Sequence, residues 1–257
     1  MRHDIAIVGG SGFFGSLLTK HLSHSFKVKV LDVKALRSDL KAQVDFQKVD
    51  IRNCSEVKRG IKGSELVIDT AIVSIPAINS EKKLGYEVNV LGTTNVCEAV
   101  EQSTTARGLI LSGTWHIFGD IGLRGVINEE TGFRPDKVEE RAKYYALTKV
   151  VQENLVRLYD EMSPKIFGII RCGTILARDM REKTAAKIFI TKGLKGEAIT
   201  PYKHSMHRPM LYVDGDDICK AFESYARKVL SGDIEEANNS LAHIVNLAYP
   251  KPITILQ

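Results

Sequence analysis

The sequence predicts an α/β protein, a doubly wound parallel sheet with helices on both faces and a small C-terminal lobe. Three observations carry this. Apolar, strand-like runs alternate with helical patterns from the N-terminus to Arg171, as βαβ units require. A glycine-rich turn, Gly9-Gly10-Ser11-Gly12-Phe13-Phe14-Gly15, joins the first strand to the first helix. After Arg171 the alternation gives way to a polar, proline-containing region flanked by two helical patterns.

The first strand spans 4–8 and leads through the turn into a helix over 12–22 with Leu17, Leu18 and Leu22. Strand, glycine turn and helix form the context of a phosphate-binding loop. Glycine permits the bend and lets the backbone approach a pyrophosphate, and the helix N-terminus offers free N–H groups to the anion. The second strand, 27–32, ends in Asp32, whose carboxylate can bond adenosine ribose hydroxyls and repel a 2′-phosphate. This favours NAD over NADP, a preference that Lys34 and Arg37 weaken slightly. Further strands are expected at 44–49, 66–70, 108–112, 165–171 and 243–248, with helices at 55–61, 83–103 and 139–162.

In the last of these helices Val151, Leu155, Leu158 and Met162 mark the expected packing stripe, leaving Tyr145 and Lys149 off it to face a cleft. A tyrosine and a lysine at i and i+4 share a helix face. An ammonium beside a phenol lowers its pKa and makes it usable as a general base. Beyond Arg171, helices over 180–195 and 216–230 belong to a lobe above the carboxyl ends of the strands. The expected division is a dinucleotide-binding domain at 1–171 and a substrate lobe at 172–257, with the strand at 243–248 returning to the main sheet.

At 257 residues and 44% apolar content the chain can bury one substantial core, alone or with a small appended lobe. The formal charge of +5, from 36 basic and 31 acidic residues, forms no basic stripe. Glu139-Glu140-Arg141 and Asp233-Ile234-Glu235-Glu236 read as solvated surface. This argues against a nucleic-acid partner, whereas mild basicity suits an anionic substrate. Cys54, Cys97, Cys172 and Cys219 are scattered, as expected of reduced, buried thiols in a cytosolic protein. No signal peptide is visible and no apolar run reaches membrane-spanning length, so a soluble cytoplasmic protein without membrane contact is expected. His3, His204 and His207 share no ligand geometry, so no metal site is expected. Tyr144 has Thr148 rather than a lysine at i+4 and reads as neighbouring surface or core.

Taken together, these features resemble the extended short-chain dehydrogenase/reductase superfamily, and within it the NAD-dependent sugar-nucleotide epimerases and dehydratases, over nearly the whole chain. The resemblance implies a Rossmann-type fold with bound NAD. Gly9, Gly12 and Gly15, with Phe13 and Phe14, match the cofactor loop and Asp32 the ribose-binding acid. Asp50-Ile51 resembles the pair that contacts the adenine, and Asp69-Thr70-Ala71 the segment under the cofactor. Residues 86–93, Tyr-Glu-Val-Asn-Val-Leu-Gly-Thr, are similar to the Y-x-x-N-V-x-G-T helix, in which Asn89 would help order the site. The run from Leu111 to Asp120 is similar to S-S-S-x-x-V-Y-G and sets Thr114 at the catalytic serine/threonine position. Tyr145 and Lys149 match Y-x-x-x-K.

The implied mechanism has Lys149 holding the cofactor ribose and acidifying Tyr145, which takes a hydroxyl proton as hydride leaves the same carbon for NAD. Thr114 would bond that oxygen. The stretch from Lys187 to Gly196, then Ile199 and Arg208-Pro209-Met210-Leu211-Tyr212-Val213-Asp214, resembles the substrate lobe. There Arg208 would bind a substrate diphosphate, unless it is a surface residue or pairs with Asp214. Thr174 and His116 would border the substrate, His116 packed near the cleft rim and Trp115 as packing or pocket wall.

Departures from the pattern are informative. Trp115-His116 stands where 4,6-dehydratases carry Asp-Glu, which argues against dehydratase chemistry. Arg171-Cys172-Gly173-Thr174 is closer to reductase and hydroxysteroid-dehydrogenase relatives than to epimerases, and the segment from Pro135 to Tyr145 is longer than usual. The chain ends at Gln257 where relatives continue the lobe, an expectation of a reduced or truncated substrate site. The leading expectation is a nucleotide-sugar epimerase, homodimeric through the helices at 83–103 and 139–162. The alternatives are a reductase or dehydrogenase of a hydroxysteroid-like carbonyl substrate, and a non-catalytic NAD-binding sensor.

Overall fold

Residues alternating in burial on two faces set the central layer. In β1 (His3–Val8), Ile5 and Ile7 join one core while Ala6 and Val8 join another. The same alternation runs through β2 (Val28–Asp32) and β4 (Ser64–Asp69), the strand β3 (Asp45–Lys48) forming the sheet edge. It continues in β5 (Gly108–Thr114) and β6 (Ile166–Cys172). A strand buried on both faces in this way needs a covering layer on each side. A computed structural model supplies both layers and describes residues 2–180, 182, 184–234 and 241–256. Glu235 and Glu236 of the expected solvated cluster, and the side chain of His204, lie outside the described residues.

Helices α1 (Phe13–Leu22) and α8 (Gly215–Ser231) cover one face. Between them in the chain run α2 (Cys54–Ile61), the short α3 (Ala77–Ser80) and α4 (Lys82–Tyr86), α5 (Thr93–Gln102), α6 (Lys143–Met162) and α7 (Ala185–Leu194). Leu18 and Leu22 of α1 meet Ile218, Phe222 and Ala226 of α8 in the first core. Val57 of α2, Val96 and Val100 of α5 and Val156 of α6 fill the second. A π-helical stretch, Glu87–Gly92, links α4 to α5. The seven strands run in the order β3-β2-β1-β4-β5-β6-β9, all parallel, with β9 (Ile244–Leu247) beside β6. The chain therefore reverses its direction of growth between β1 and β4, and ligands of open α/β sheets bind at such a switch point.

Three expectations change. The segment 216–230, assigned to the lobe, is α8, which packs on α1 and the main sheet because its apolar positions repeat at helical spacing on one side. Asp214 caps it, accepting from Asp216 N–H at 2.8 Å, and Gly232 ends it at φ +82°. The lobe proper holds a two-stranded parallel ribbon, β7 (Thr174–Leu176) with β8 (Tyr212–Asp214), which the sequence reading did not mark. The stripe assigned to α6 points the other way. Leu158 and Met162 are exposed, and the buried positions are Ala146, Thr148, Lys149, Gln152, Glu153, Val156 and Asp160. Among the described residues no helix is long and apolar enough to cross a membrane.

Candidate active site

Polar groups on the inner side of α6 fix its position, and with it the two residues that matter most. Glu153 meets Arg171 of β6 through a forked ion pair, with Nε–Oε1 at 3.0 Å and both side chains almost wholly buried. The same guanidinium lies over the rings of Phe118 and Phe133, at 5.3 and 5.9 Å. Gln152 donates to Thr93 Oγ1 at 2.7 Å, and Asp160 accepts from Phe167 N–H at 2.8 Å. Asn89 bridges two segments at this end of the sheet. Its Oδ1 accepts from Val73 N–H at 2.8 Å, and its amide donates to Val73 C=O and to Thr148 Oγ1 at 3.0 Å. The loop after β4 is thus tied to the turn of α6 that carries Tyr145 and Lys149.

At the carboxyl ends of the strands the structure brings Thr114, His116, Tyr145 and Lys149 together. Thr114 closes β5 and caps a short 3₁₀ turn, Trp115–Phe118. Burial pushes the Tyr145 phenol up to about 12, against the pull of the nearby Thr114 hydroxyl, which favours the phenolate. The expected acidification by Lys149 is absent. The ammonium instead donates to Ser112 C=O at 2.8 Å, and the buried Cys172 thiol adds a further upward push on the phenol. Burial lowers Lys149 to about 8 against the upward pull of Asp69. Asp69, at the end of β4, is itself pushed up to about 6 by burial, opposed by the Ala71 N–H it accepts at 3.0 Å and by Lys149.

The dinucleotide side fits NAD. Gly9 adopts φ +78°, and a Cβ there would come within 2.6 Å of Ala71 N, so the turn lies hard against the end of β4. A side chain on Gly15 would strike the backbone oxygen of Gly9. The N-terminus of α1 has Gly12 as its cap, no side-chain cap bond and no acidic residue in its first turn, leaving its N–H groups open to a pyrophosphate. Asp32 is set by Ser11 N–H at 3.0 Å and Lys34 N–H at 2.8 Å. Arg37, considered for a 2′-phosphate, is held by Asp39 and Asp179 instead. Gly9, Gly12, Gly15, Asp32, Ile51 and Ala71 would line the cofactor cleft. The Phe14 ring packs edge-on against Phe222, and the Asp50 carboxylate pairs with Arg52 at 2.6 Å.

On the substrate side Arg208 is neither a free surface residue nor paired with Asp214. Its guanidinium lies 3.2 Å from Asp120 and 2.6 Å from Glu139, largely buried. Glu139, read as solvated surface, is a half-buried partner here because the long segment before α6 folds back through two 3₁₀ turns, Pro135–Lys137 and Glu140–Ala142. Thr174 accepts the Trp115 indole N–H at 3.1 Å, which makes it an anchor for that ring. Tyr144 bonds Lys82 C=O at 2.9 Å and joins α6 to α4. Asp120 escaped notice as a functional group, and Asp69 was marked only as part of the segment under the cofactor; its place directly after the apolar run Leu66-Val67-Ile68 was the available signal.

A parallel sheet with a glycine turn at its switch point, and Thr114, Tyr145 and Lys149 near the same end, defines a Rossmann-type fold. Residues 5–239 match the profile of the NAD dependent epimerase/dehydratase family, and the chain belongs to that family. It is 26% identical over 151 residues to the sterol-4-alpha-carboxylate 3-dehydrogenase (decarboxylating) of Bos taurus, covering 58% of this chain and 40% of the relative. It is 25% identical over 194 residues to the D-erythronate dehydrogenase of Haemophilus influenzae, covering 73% of this chain and 59% of the relative. The match thus spans about two fifths of the bovine relative. Among solved structures, the UDP-glucose 4-epimerase of Thermus thermophilus in complex with NAD superposes with a TM-score of 0.78 at 23% identity, over 100% of this chain and 80% of that one, a likeness of fold.

Proposed function

We propose that this protein is an NAD-dependent dehydrogenase that oxidises a secondary alcohol lacking a diphosphate, or runs the reverse reduction. The observation that carries this is the double ion pair on Arg208: a guanidinium already faced by Asp120 and Glu139 has little charge left for phosphate oxygens. The Cys172-Gly173-Thr174 segment and the dehydrogenases among the relatives support the same reading.

When bound, NAD supplies the hydride acceptor. The substrate's C–H bond breaks with its electron pair, its O–H proton passes to Tyr145, and C=O forms. Thr114 donates to the reacting oxygen, its hydroxyl favours the phenolate form of Tyr145, and Lys149, donating to Ser112 C=O, would hold the cofactor ribose. The buried walls formed by Trp115, Ile117 and Phe118 keep water from this corner.

A second reading, epimerisation of a nucleotide sugar, retains the same oxidation but returns the hydride to the opposite face of the ketone. Family membership supports it. Absorbance of NADH separates the two: a dehydrogenase accumulates it in step with ketone, whereas an epimerase shows none and interconverts a UDP-, GDP- or dTDP-sugar. Tyr145→Phe should abolish either activity while NAD still binds. Unchanged biological activity in that variant would favour the sensor.

A homodimer through α4–α5 and α6 belongs to this proposal. Leu147, Leu158 and Met162, which repeat at helical spacing on the outer side of α6, are 48%, 49% and 71% exposed, as are Tyr86 and Leu91 at 49% and 46% on the neighbouring helix. Sedimentation of wild type against Leu158→Glu tests it, with dimer expected for the first and monomer for the second.

A further inference from the structure

Three groups converge on the hydroxyl of Thr114. Its Oγ1 accepts the backbone N–H of His116 at 3.4 Å, stands 3.1 Å from Nδ1 of the same residue, and lies near enough to the Tyr145 phenol to pull its pKa down. A hydroxyl has one proton and two lone pairs. The backbone N–H occupies one lone pair, so one lone pair and one proton remain for Nδ1, the phenol and a substrate oxygen. If Nδ1 is bare, it takes the proton, and Thr114 can then only accept from Tyr145. If Nδ1 carries its own proton, it fills the second lone pair and the hydroxyl proton is free to point at an oxygen.

The imidazole has little freedom to leave this arrangement. One side of the ring lies against Trp115, with centroids 4.6 Å apart, and the Trp115 N–H is itself fixed on Thr174. Its edge meets the ring of Tyr145 at 5.7 Å and 87°. Burial, reinforced by Arg208 and opposed by Glu139, lowers His116 to about 4, so near neutrality the ring holds a single proton on one nitrogen or the other.

We propose that His116 is a positioning residue: in its Nδ1–H form it commits the only proton of Thr114 to the reacting oxygen. This deepens the dehydrogenase reading and rests on it for the identity of that oxygen, but not for the tautomer. The side chain does not touch the reacting carbon. It acts through Thr114 by deciding whether that residue donates or merely accepts.

The tautomer is read directly by nitrogen NMR of the full-length protein with ¹⁵N-labelled imidazoles, the His116 signals being assigned by their loss in His116→Asn. The expected result is a protonated Nδ1 and a bare Nε2 in wild type. Thr114→Val, which removes the acceptor, should shift the ring to the Nε2–H form that free histidine prefers, while Thr114→Ser should not. A wild-type ring protonated on Nε2, or one indifferent to Thr114→Val, overturns the proposal whatever the substrate proves to be. With any alcohol that wild type oxidises, His116→Phe keeps the ring but not the nitrogen and should lower kcat about 10²-fold, the loss typical of one preorganised donor, with KM unchanged. His116→Asn, whose amide can donate from near the Nδ1 position, should recover most of that loss. A fully active His116→Phe also overturns the assignment. Absence of turnover by wild type would count against the dehydrogenase reading alone and leave the tautomer result standing.

Discussion

Replacing Asp69 by asparagine should make the protein more stable at neutral pH, by an amount that grows with pH. Asp69 is about 1% exposed at the end of β4, and burial carries it from an ordinary 3.8 to about 6. Each pH unit of separation corresponds to about 1.4 kcal/mol, so ionising this carboxylate in the folded chain costs about 3 kcal/mol more than in the unfolded one. The folded pKa is the higher, so between 3.8 and 6 the native state holds a proton that the unfolded state has released. Stability contributed at this position is therefore lost as pH rises through that window. Asparagine keeps the oxygen that accepts from Ala71 N–H and does not titrate. Urea unfolding of both proteins at pH 4 and pH 7 should show the variant gaining about 2 kcal/mol on wild type between the two, the part of the difference that falls within the range. A gap that stays constant, or one that moves in favour of wild type, would refute the assignment of Asp69 as a buried carboxylate kept partly charged by Lys149.

Glu153→Leu leaves the Arg171 guanidinium buried without its carboxylate, and thermal or urea unfolding should report a loss of about 3–5 kcal/mol. Gly15→Ala forces a methyl group onto the Gly9 carbonyl, so calorimetric titration should show NAD binding lost while circular dichroism shows the fold retained. Glu139→Gln removes one of the two charges on Arg208 and should tighten UDP binding roughly tenfold, as one charge-assisted hydrogen bond would; unaltered affinity would mean that pairing with Glu139 is not what keeps Arg208 from a diphosphate.

The parallel sheet was legible because its strands are short apolar runs set between glycine turns and amphipathic helices, a pattern that survives without tertiary knowledge. The cofactor loop was legible for a related reason: Gly9, Gly15 and Asp32 are placed by local geometry along one βαβ unit. What escaped depended on partners far apart in the chain. No periodicity reveals that Arg208 meets Asp120 and Glu139, or that Phe14 is claimed by Phe222. The stripe on α6 misled for a different reason. Apolar spacing marks a face that avoids water, and here Leu158 and Met162 carry it outward while the sheet side is polar. The direction of the Tyr145 shift was misjudged because spacing alone cannot weigh burial against a nearby cation. The ribbon of β7 and β8, with three residues in each strand, is too short to leave a periodic trace.

The polar underside of α6 has a mechanical consequence. Oil-like contacts let a helix slide or roll by fractions of a turn with little change in energy, whereas directional bonds work like teeth in a rack. With Gln152, Glu153 and Asp160 each engaged by a fixed partner on α5, β6 or the strand's own backbone, a shift of one residue would break all three together. The reactive amine and phenol, one and two turns before Gln152, are thus indexed against the sheet by groups that never approach the substrate.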